Sequence, residues 1–315
     1  MKTTQILAAA LFATGIFTVN AQTQNSSVTS FGLNAGTSGT GNAFFGYSAG
    51  YTAPNYGMTN STIMGYLTGG ESGTDNVLIG NKTGQYFTDG YENVFVGATA
   101  GQYSTENSYN VLVGFGSGAN ITYGNNTMLG HKAGYSTSGG GNIFLGYNAG
   151  YNEISSNKLY IENSSSSTPL IWGDFANDLL KFNGKVGIGL GTAAFPTTGG
   201  SINVAAYKLI VNGGILAKEV RVATTWADYV FEDNYKLPTL PEVEQYINEN
   251  GHLPNVPSAK QIEEDGIEVG EMAKIQQEKI EELTLYAIQQ QKQLEKQQKE
   301  IDELKALVLK LAGTK

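Results

Sequence analysis

Short apolar runs that each stop at a glycine set the rhythm of the first half of this chain. Ser30-Phe31-Gly32, Phe44-Phe45-Gly46, Ile63-Met64-Gly65 and Leu78-Ile79-Gly80 begin the series. Phe95-Val96-Gly97, Leu112-Val113-Gly114, Met128-Leu129-Gly130 and Phe144-Leu145-Gly146 continue it. Beyond each anchor glycine a small residue precedes a second glycine, as in Ala49-Gly50, Thr83-Gly84, Ala100-Gly101 and Ala149-Gly150. Four positions before most anchors stands an asparagine (Asn42, Asn76, Asn93, Asn110, Asn126 and Asn142), with Ser61 as the exception. Anchors lie 14 to 19 positions apart (Gly32 to Gly46, Gly46 to Gly65), so connecting loops such as 103–107 absorb the length variation.

Each repeat predicts one short strand covered on both faces, ended by a glycine where the backbone turns or meets its neighbour closely. A single unit of this size cannot bury a core, but stacked units can, which predicts a mainly β solenoid of parallel strands. Eight rungs at the strand spacing of a sheet extend roughly 40 Å. Asparagines at matching positions predict a side-chain ladder that satisfies backbone groups at the turns.

The pattern changes after the repeats. Residues 157–163 keep the asparagine (Asn157) and the apolar positions but lose the glycine, as a capping turn would, and Ser164 to Ser167 predict a flexible joint. Two apolar runs, 170–175 and 179–184, predict a hairpin. Thr239-Leu240-Pro241-Glu242 is a capping box with proline in the first helical turn, and Gly251 stops that helix. Ser258 opens a second short helix that ends near Gly266. From Ala273 the period becomes a heptad, with Ala273, Ile280, Ala287, Leu294, Ile301 and Val308 at a. Gln276, Leu283, Gln290, Gln297, Leu304 and Leu311 stand at d, and nearly six such heptads predict a coiled coil. The a and d residues leave dimer and trimer open. The expected organisation is a leader over 1–21, glycine-rich repeats over 22–162 and a β neck over 163–217. A small α+β module over 218–271 and the coiled coil over 272–315 follow.

The leader rests on Lys2, an apolar run from Ile6 to Val19, and small residues before Gln22. That run is too short for a bilayer span, which needs about 20 residues, so export is the expectation. The chain has no cysteine and a formal net charge of −9. The first fact excludes a lipid-modified cysteine anchor and disulfide staples; the second argues against nucleic acid as a partner.

The unit N-Φ-Φ-Φ-G-x-x-A-G over 31–161 resembles the head repeats of trimeric autotransporter adhesins and related repeats of tail-fibre-type proteins. That resemblance implies a left-handed parallel β-roll that assembles as a homotrimer, although the period here is longer and less regular. Val186-Gly187-Ile188-Gly189, then Pro196, then Leu209-Ile210-Val211-Asn212-Gly213 is similar to a segment found before the tips of bacterial and phage-type fibres. The stretch from Trp226 to Tyr286 resembles the C-terminal domain of tail-fibre-type proteins, similar in placement to the endosialidase-type intramolecular chaperone.

Candidate chemistry is sparse. Gly80-Asn81-Lys82-Thr83-Gly84 lacks the glycine-lysine order of a phosphate-binding loop, and the sister repeats lack its lysine. His252 follows a helix-ending glycine and reads as a helix-end or packing residue, while His131 lies in a repeat. Self-cleaving chaperones use a serine-lysine context that neither Ser201 nor Ser258 has. Glu71, Asp75, Asp89, Glu92, Glu106 and Glu153 do not recur in register as a hydrolytic carboxylate pair would. Tyr51, Tyr135 and Tyr151 either pack between turns or stack on sugars. No catalytic, cofactor-binding or metal-ligating residue is assigned, and no cofactor is expected. The expectation is a secreted, non-catalytic, adhesin-like surface fibre whose partners are its own copies and a glycan or other cell-surface ligand. Its rivals are a self-processing chaperone and a structural spacer of a phage-like apparatus.

Overall fold

The computed structural model describes residues 28–51, 57–105 and 107–312. The expected leader over 1–21 and Glu106 lie outside them. The chain divides into two compact units between Lys185 and Val186.

The first unit is a parallel β-solenoid. Its rungs are Val28–Phe31, Asn42–Phe45, Thr62–Met64, Val77–Ile79, Val94–Val96, Val111–Val113, Thr127–Leu129, Ile143–Leu145 and Lys158–Ile161, each paired with the next. The register is uniform, so one residue per strand points inward. Phe44, Ile63, Leu78, Phe95, Leu112, Met128 and Phe144 fill that column and are fully buried. The small residues Ala49, Thr68, Thr83, Ala100, Ser117, Ala133 and Ala149 pack beside them. Burying one Leu- or Phe-sized side chain stabilises by about 1.5–3 kcal/mol, so the stack gains its core one rung at a time.

The strands differ from expectation on their outer side. The residues flanking each inward side chain remain half-buried or exposed, with Val111 at 41%, Leu129 at 49% and Leu145 at 41%. Strand alternation sends them outward, and no second layer covers them within one chain.

Asparagine forms the expected ladder. Asn42 Oδ1 accepts the Ser61 N–H at 2.9 Å, and Ser61 Oγ accepts the Asn76 N–H at 3.1 Å. The chain of acceptors continues from Asn76 to Asn93, Asn110, Asn126 and Asn142, each Oδ1 taking the next backbone N–H at 3.0 Å. Asn142 closes it on the Lys158 N–H at 2.8 Å. Their Nδ2 groups tie down loop carbonyls, among them Gly90 from Asn76 and Asn107 from Asn93. Ser61, the exception in the repeat, therefore keeps the one function the column requires, an acceptor.

The anchor glycines stack as tightly. Gly97 has φ 136°, and a Cβ there would lie 2.3 Å from the Gly114 carbonyl oxygen. Two residues later the backbone turns left-handed again, at Leu67, Lys82 and Thr99 among others, with φ between 50° and 56°.

Beyond the last rung the sheet turns antiparallel. Ile171–Asp174 pairs with Lys158–Ile161 and with Leu179–Phe182, which is the expected hairpin. The serine stretch before it is not a loose joint. Glu162 accepts Ser164 Oγ at 2.9 Å and the Leu170 N–H at 2.9 Å, closing the segment into a turn. Asn157 does not keep the ladder position as expected: it takes the left-handed corner before it, at φ 61°, and Lys158 stands at the ladder position, pairing with Asp174 at 3.0 Å. The inward residue of this rung is Tyr160, whose hydroxyl donates to Glu153 at 2.5 Å.

In the second unit, Val186–Ile188 pairs in parallel with Leu209–Val211, and Thr198–Gly199 pairs with Ile202–Asn203. Helices follow: α1 (Leu240–Asn250), α2 (Ala259–Asp265) and α3 (Val269–Ala312). The expected capping box forms at Thr239 with Glu242, a second one forms at Ser258 with Gln261, and Gly251 closes α1 at φ 75°. The expected α+β module over 218–271 instead holds a 3₁₀ turn, Asp228–Phe231, and helices without a strand. Of its apolar residues Ala227 and Val230 are buried, whereas Leu240, Ile247 and Leu253 remain exposed.

Two substitution pairs test the stack by chemical unfolding. Asn110→Ala leaves the buried Asn126 N–H without its acceptor and costs about 2–3 kcal/mol, whereas Asn110→Ser, imitating Ser61, costs less than half of that. Equal losses would refute the ladder as the stabilising element. Gly97→Ala costs about 3 kcal/mol or more through clash and strain, against about 1–2 kcal/mol for Gly84→Ala, whose added Cβ meets the side chains of Leu78 at 3.3 Å and Phe87 at 3.5 Å.

Candidate functional site

The residues singled out by the sequence do not converge on one cleft. In Gly80 to Gly84 three of the five backbone donors are already engaged: Gly80 N bonds Met64 O at 2.8 Å, Lys82 N bonds Tyr66 O and Gly84 N bonds Ala100 O, both at 2.9 Å. Thr83 Oγ1 bonds Gly97 O at 2.6 Å. A loop with most of its donors spent on neighbouring rungs has no cradle to offer a phosphate.

Ser258 is the N-cap of α2, its Oγ accepting the Gln261 N–H at 3.3 Å. Ser201 sits in a tight turn whose N–H donates to Asp265 Oδ1 at 2.8 Å. His252 stands edge-on to Tyr246 at 5.7 Å, with Nδ1 3.0 Å from Leu253 O, in keeping with a packing role at the end of α1. Among the described residues no group of three or more His, Asp or Glu side chains is arranged to hold a metal ion.

The repeat carboxylates need one correction. Asp75 and Glu92 do occupy equivalent positions in successive turns, each left-handed at φ 57° immediately before a ladder asparagine. Their backbones donate to Thr59 O and Thr74 O in the same way. Each stands five positions before its anchor glycine, so the repeat alignment already carried the equivalence.

Aromatic rings form columns on the outside of the solenoid. Tyr47 stacks on Tyr66 at 5.2 Å, Tyr86 on Tyr103 at 5.1 Å and Tyr135 on Tyr151 at 5.1 Å. Phe115, His131 and Tyr147 make a three-ring stack at 5.2 Å spacing. Tyr135 and Tyr151 thus pack between turns, each covering one face of the other, while Tyr51 is exposed. The residue after each anchor glycine supplies the columns of Tyr47, Phe115 and His131. That position was visible in the repeat, but its variable residue type masked it.

The second unit carries the more unusual surface. Where residues 226–256 dock on α3, Tyr229 donates to Glu278, Tyr235 donates to Glu282 at 2.5 Å, and Tyr286 donates to Pro238 O at 2.6 Å. Lys279 bridges Glu278 at 2.8 Å and Glu282 at 3.0 Å. Burial pushes the Glu278 carboxyl up, but hydrogen bonds from Lys279, Tyr229 and Asn255 outweigh it and hold the group below the usual carboxylate range. The hydrogen bond to Glu278, with burial second, pushes the Tyr229 phenol up to about 12.

Glu278, Glu281 and Glu282 are only 6%, 5% and 7% exposed, whereas Ile280 and Leu283 are 56% and 64% exposed. The buried carboxylates lie on the side of α3 away from the a and d positions, and from Ala287 to Leu311 every residue is exposed. A recess of about 260 Å³ near the start of α3 is walled by Ile202, Ile262, Ile267, Met272 and Ile275. Compared with protein-family models, curated proteins and solved structures, the chain has no match. No helix among the described residues is long and apolar enough to cross a membrane.

The tyrosine–glutamate docking is pH-dependent at both ends. Glu278 has a depressed folded pKa, so its contribution is complete above about pH 4.3 and is lost as pH falls through the folded value. Tyr229 has a raised folded pKa, so its contribution is complete below about pH 10 and is lost as pH rises toward 12. Near-UV circular dichroism should report both transitions. Tyr229→Phe removes a donor from Glu278 and should move the acid transition to higher pH; an unmoved transition would show that this pair does not hold the segment.

Proposed function

We propose that this chain is an exported, non-catalytic, fibre-type protein that self-associates through α3 and presents binding surfaces on its β-repeat unit. One observation carries the reading: α3 buries carboxylates against its own chain and leaves its aliphatic heptad stripe uncovered. Charged groups are costly to bury, and here their burial points the opposite face of the helix, from Ile280 to Val308, toward something outside the chain. A repeating a/d stripe flanked by Glu, Lys and Gln is complementary to copies of itself, which makes a coiled coil of identical chains its natural partner.

Homotrimer is the oligomer we propose, with a left-handed coil for the solenoid, both following the likeness of the repeats to those of trimeric adhesins. The repeat unit supports a presenting role because its ladder amides are engaged in holding the rungs together. What varies from turn to turn is the outside: loop length, ring columns and scattered charges. A glycan or another cell-surface molecule is the class of ligand proposed, and export follows from the leader pattern over 1–21.

Light scattering on the full chain tests the reading. The expected mass is three times that of one chain at micromolar concentration, and the double substitution Leu294→Asp with Ile301→Asp is expected to give single chains with reduced helix content. A native chain that is monomeric at that concentration would overturn the proposal.

A further inference from the structure

We infer that a hollow on a corner of the solenoid, between the turns of Tyr123 and Asn157, is a binding site for an uncharged sugar ring. The inference rests on the presenting role proposed for the repeat unit and names where on that unit a glycan sits. The hollow measures about 390 Å³, within the range of small-molecule sites, about 300–1,000 Å³. Tyr123, Asn125, Ser156 and Asn157 stand around it, and the rest of its lining is glycine backbone. It exists because the repeat is interrupted. Two positions before the ladder residue, the other turns carry a side chain, namely Thr40, Thr59, Thr74, Tyr91, Ser108 and Ser156. Gly124 and Gly140 leave that position bare in two successive turns. One position before the ladder residue, Gly141 separates Asn125 from Asn157, which lie two rungs and so roughly 10 Å apart. A Cβ on Gly141 would lie 2.6 Å from Asn157 Oδ1, so that amide reaches into the vacated space.

The same glycines leave a donor unspent. Tyr91 N–H donates to Ser108 Oγ at 3.1 Å and Gly140 N–H to Ser156 Oγ at 3.1 Å, each bond running to the equivalent position of the next turn. For Gly124 that acceptor would be the side chain of residue 140, which is glycine. The Gly124 N–H accordingly has no acceptor among the described residues. The side-chain amides of Asn125 and Asn157 likewise bond to no described group, whereas the neighbouring ladder amide of Asn126 donates to Tyr123 O at 2.7 Å. The Tyr123 ring is 60% exposed and pairs with no other ring among the described residues, unlike the stacked Tyr135 and Tyr151.

These features match one class of ligand. A sugar ring presents a face of C–H groups and a rim of hydroxyls that both donate and accept. An open tyrosine face suits the first, while a spare backbone donor and two amides, each offering donor and acceptor, suit the second. No charged side chain lines the hollow, so nothing there compensates the charge of an acidic sugar or a phosphate.

The test prints neutral di- to tetrasaccharides of glucose, galactose, mannose and N-acetylhexosamines at high density, beside sialylated counterparts, and reads binding of the full chain. A single ring is held at about millimolar strength, which dense display makes visible through avidity. Tyr123→Ser copies Ser155 and Asn157→Gly copies Gly141, so each variant keeps a backbone that a sister turn already uses. At least one neutral saccharide is expected to bind, and each substitution to weaken it about tenfold. Tyr86→Ala, which removes a stacked ring elsewhere on the solenoid, is expected to leave it unchanged. Neutral binding that survives both notch substitutions, or that Tyr86→Ala lowers as much, overturns the inference and leaves the presenting role standing. Binding confined to the sialylated saccharides overturns it as well. If no saccharide binds, the site and the glycan class proposed for the repeat unit fail together, and self-association through α3 is still decided by mass.

Discussion

One buried amide per turn governs the first unit. The asparagine oxygen accepts the backbone N–H of the next asparagine, and that N–H has no water to turn to. Slipping a strand by one residue would leave both groups buried and unpaired, at a cost of about 1–3 kcal/mol for each. The ladder therefore fixes register at every rung, and other regularities follow from it. Because the asparagines stack directly, the glycines four residues later also stack directly, with each Cα too close to the next carbonyl to carry a side chain. Because register is set inside, loop length outside can vary without disturbing the next strand.

Much of this was legible in the sequence because the ladder and the glycine column each demand one residue type. Asparagine offers an acceptor and two donors, and glycine alone fits φ near 136° against a carbonyl. Ser61 looked like a fault in the repeat and is instead a shorter acceptor doing the same task. What the sequence concealed were positions defined by backbone shape rather than side-chain chemistry. Leu67 and Thr99 adopt left-handed conformations that their residue types disfavour, so nothing in their identity marks those corners. Asp75 and Glu92 were different: each stands immediately before its ladder asparagine, so their equivalence was legible in the repeat. The strands were read as covered on both faces because their residues are apolar on both, and within one chain only one face is covered.

The second unit reverses the usual arrangement of a heptad helix. Positions b, c and f of a coiled coil ordinarily face water, and polar residues there are read as solvated. In α3 those positions include Glu278, Glu281 and Glu282, which the segment 226–256 covers. Tyrosine hydroxyls and Lys279 satisfy Glu278 and Glu282, while Glu281 Oε2 has no hydrogen-bond partner. Sequence reasoning found the heptads because their periodicity is local. It missed the docking because Tyr229 and Glu278 are 49 residues apart and no short motif links them.

The two units solve a common problem with opposite chemistry. In the solenoid, polar side chains are drawn inward to fix register while aliphatic residues are left outside. In α3, carboxylates are drawn under the chain's own cover while aliphatic residues are again left outside. A chain that buried for stability alone would do the reverse in α3, since covering Ile280 and Leu283 releases more free energy than covering glutamates. The shared pattern is intelligible when the buried polar groups specify which surface stays open. The ladder holds the sheet face flat and in register, and the tyrosine–glutamate docking holds the module off the heptad stripe. In the assembly proposed for α3, specificity within the chain decides where association between chains takes place.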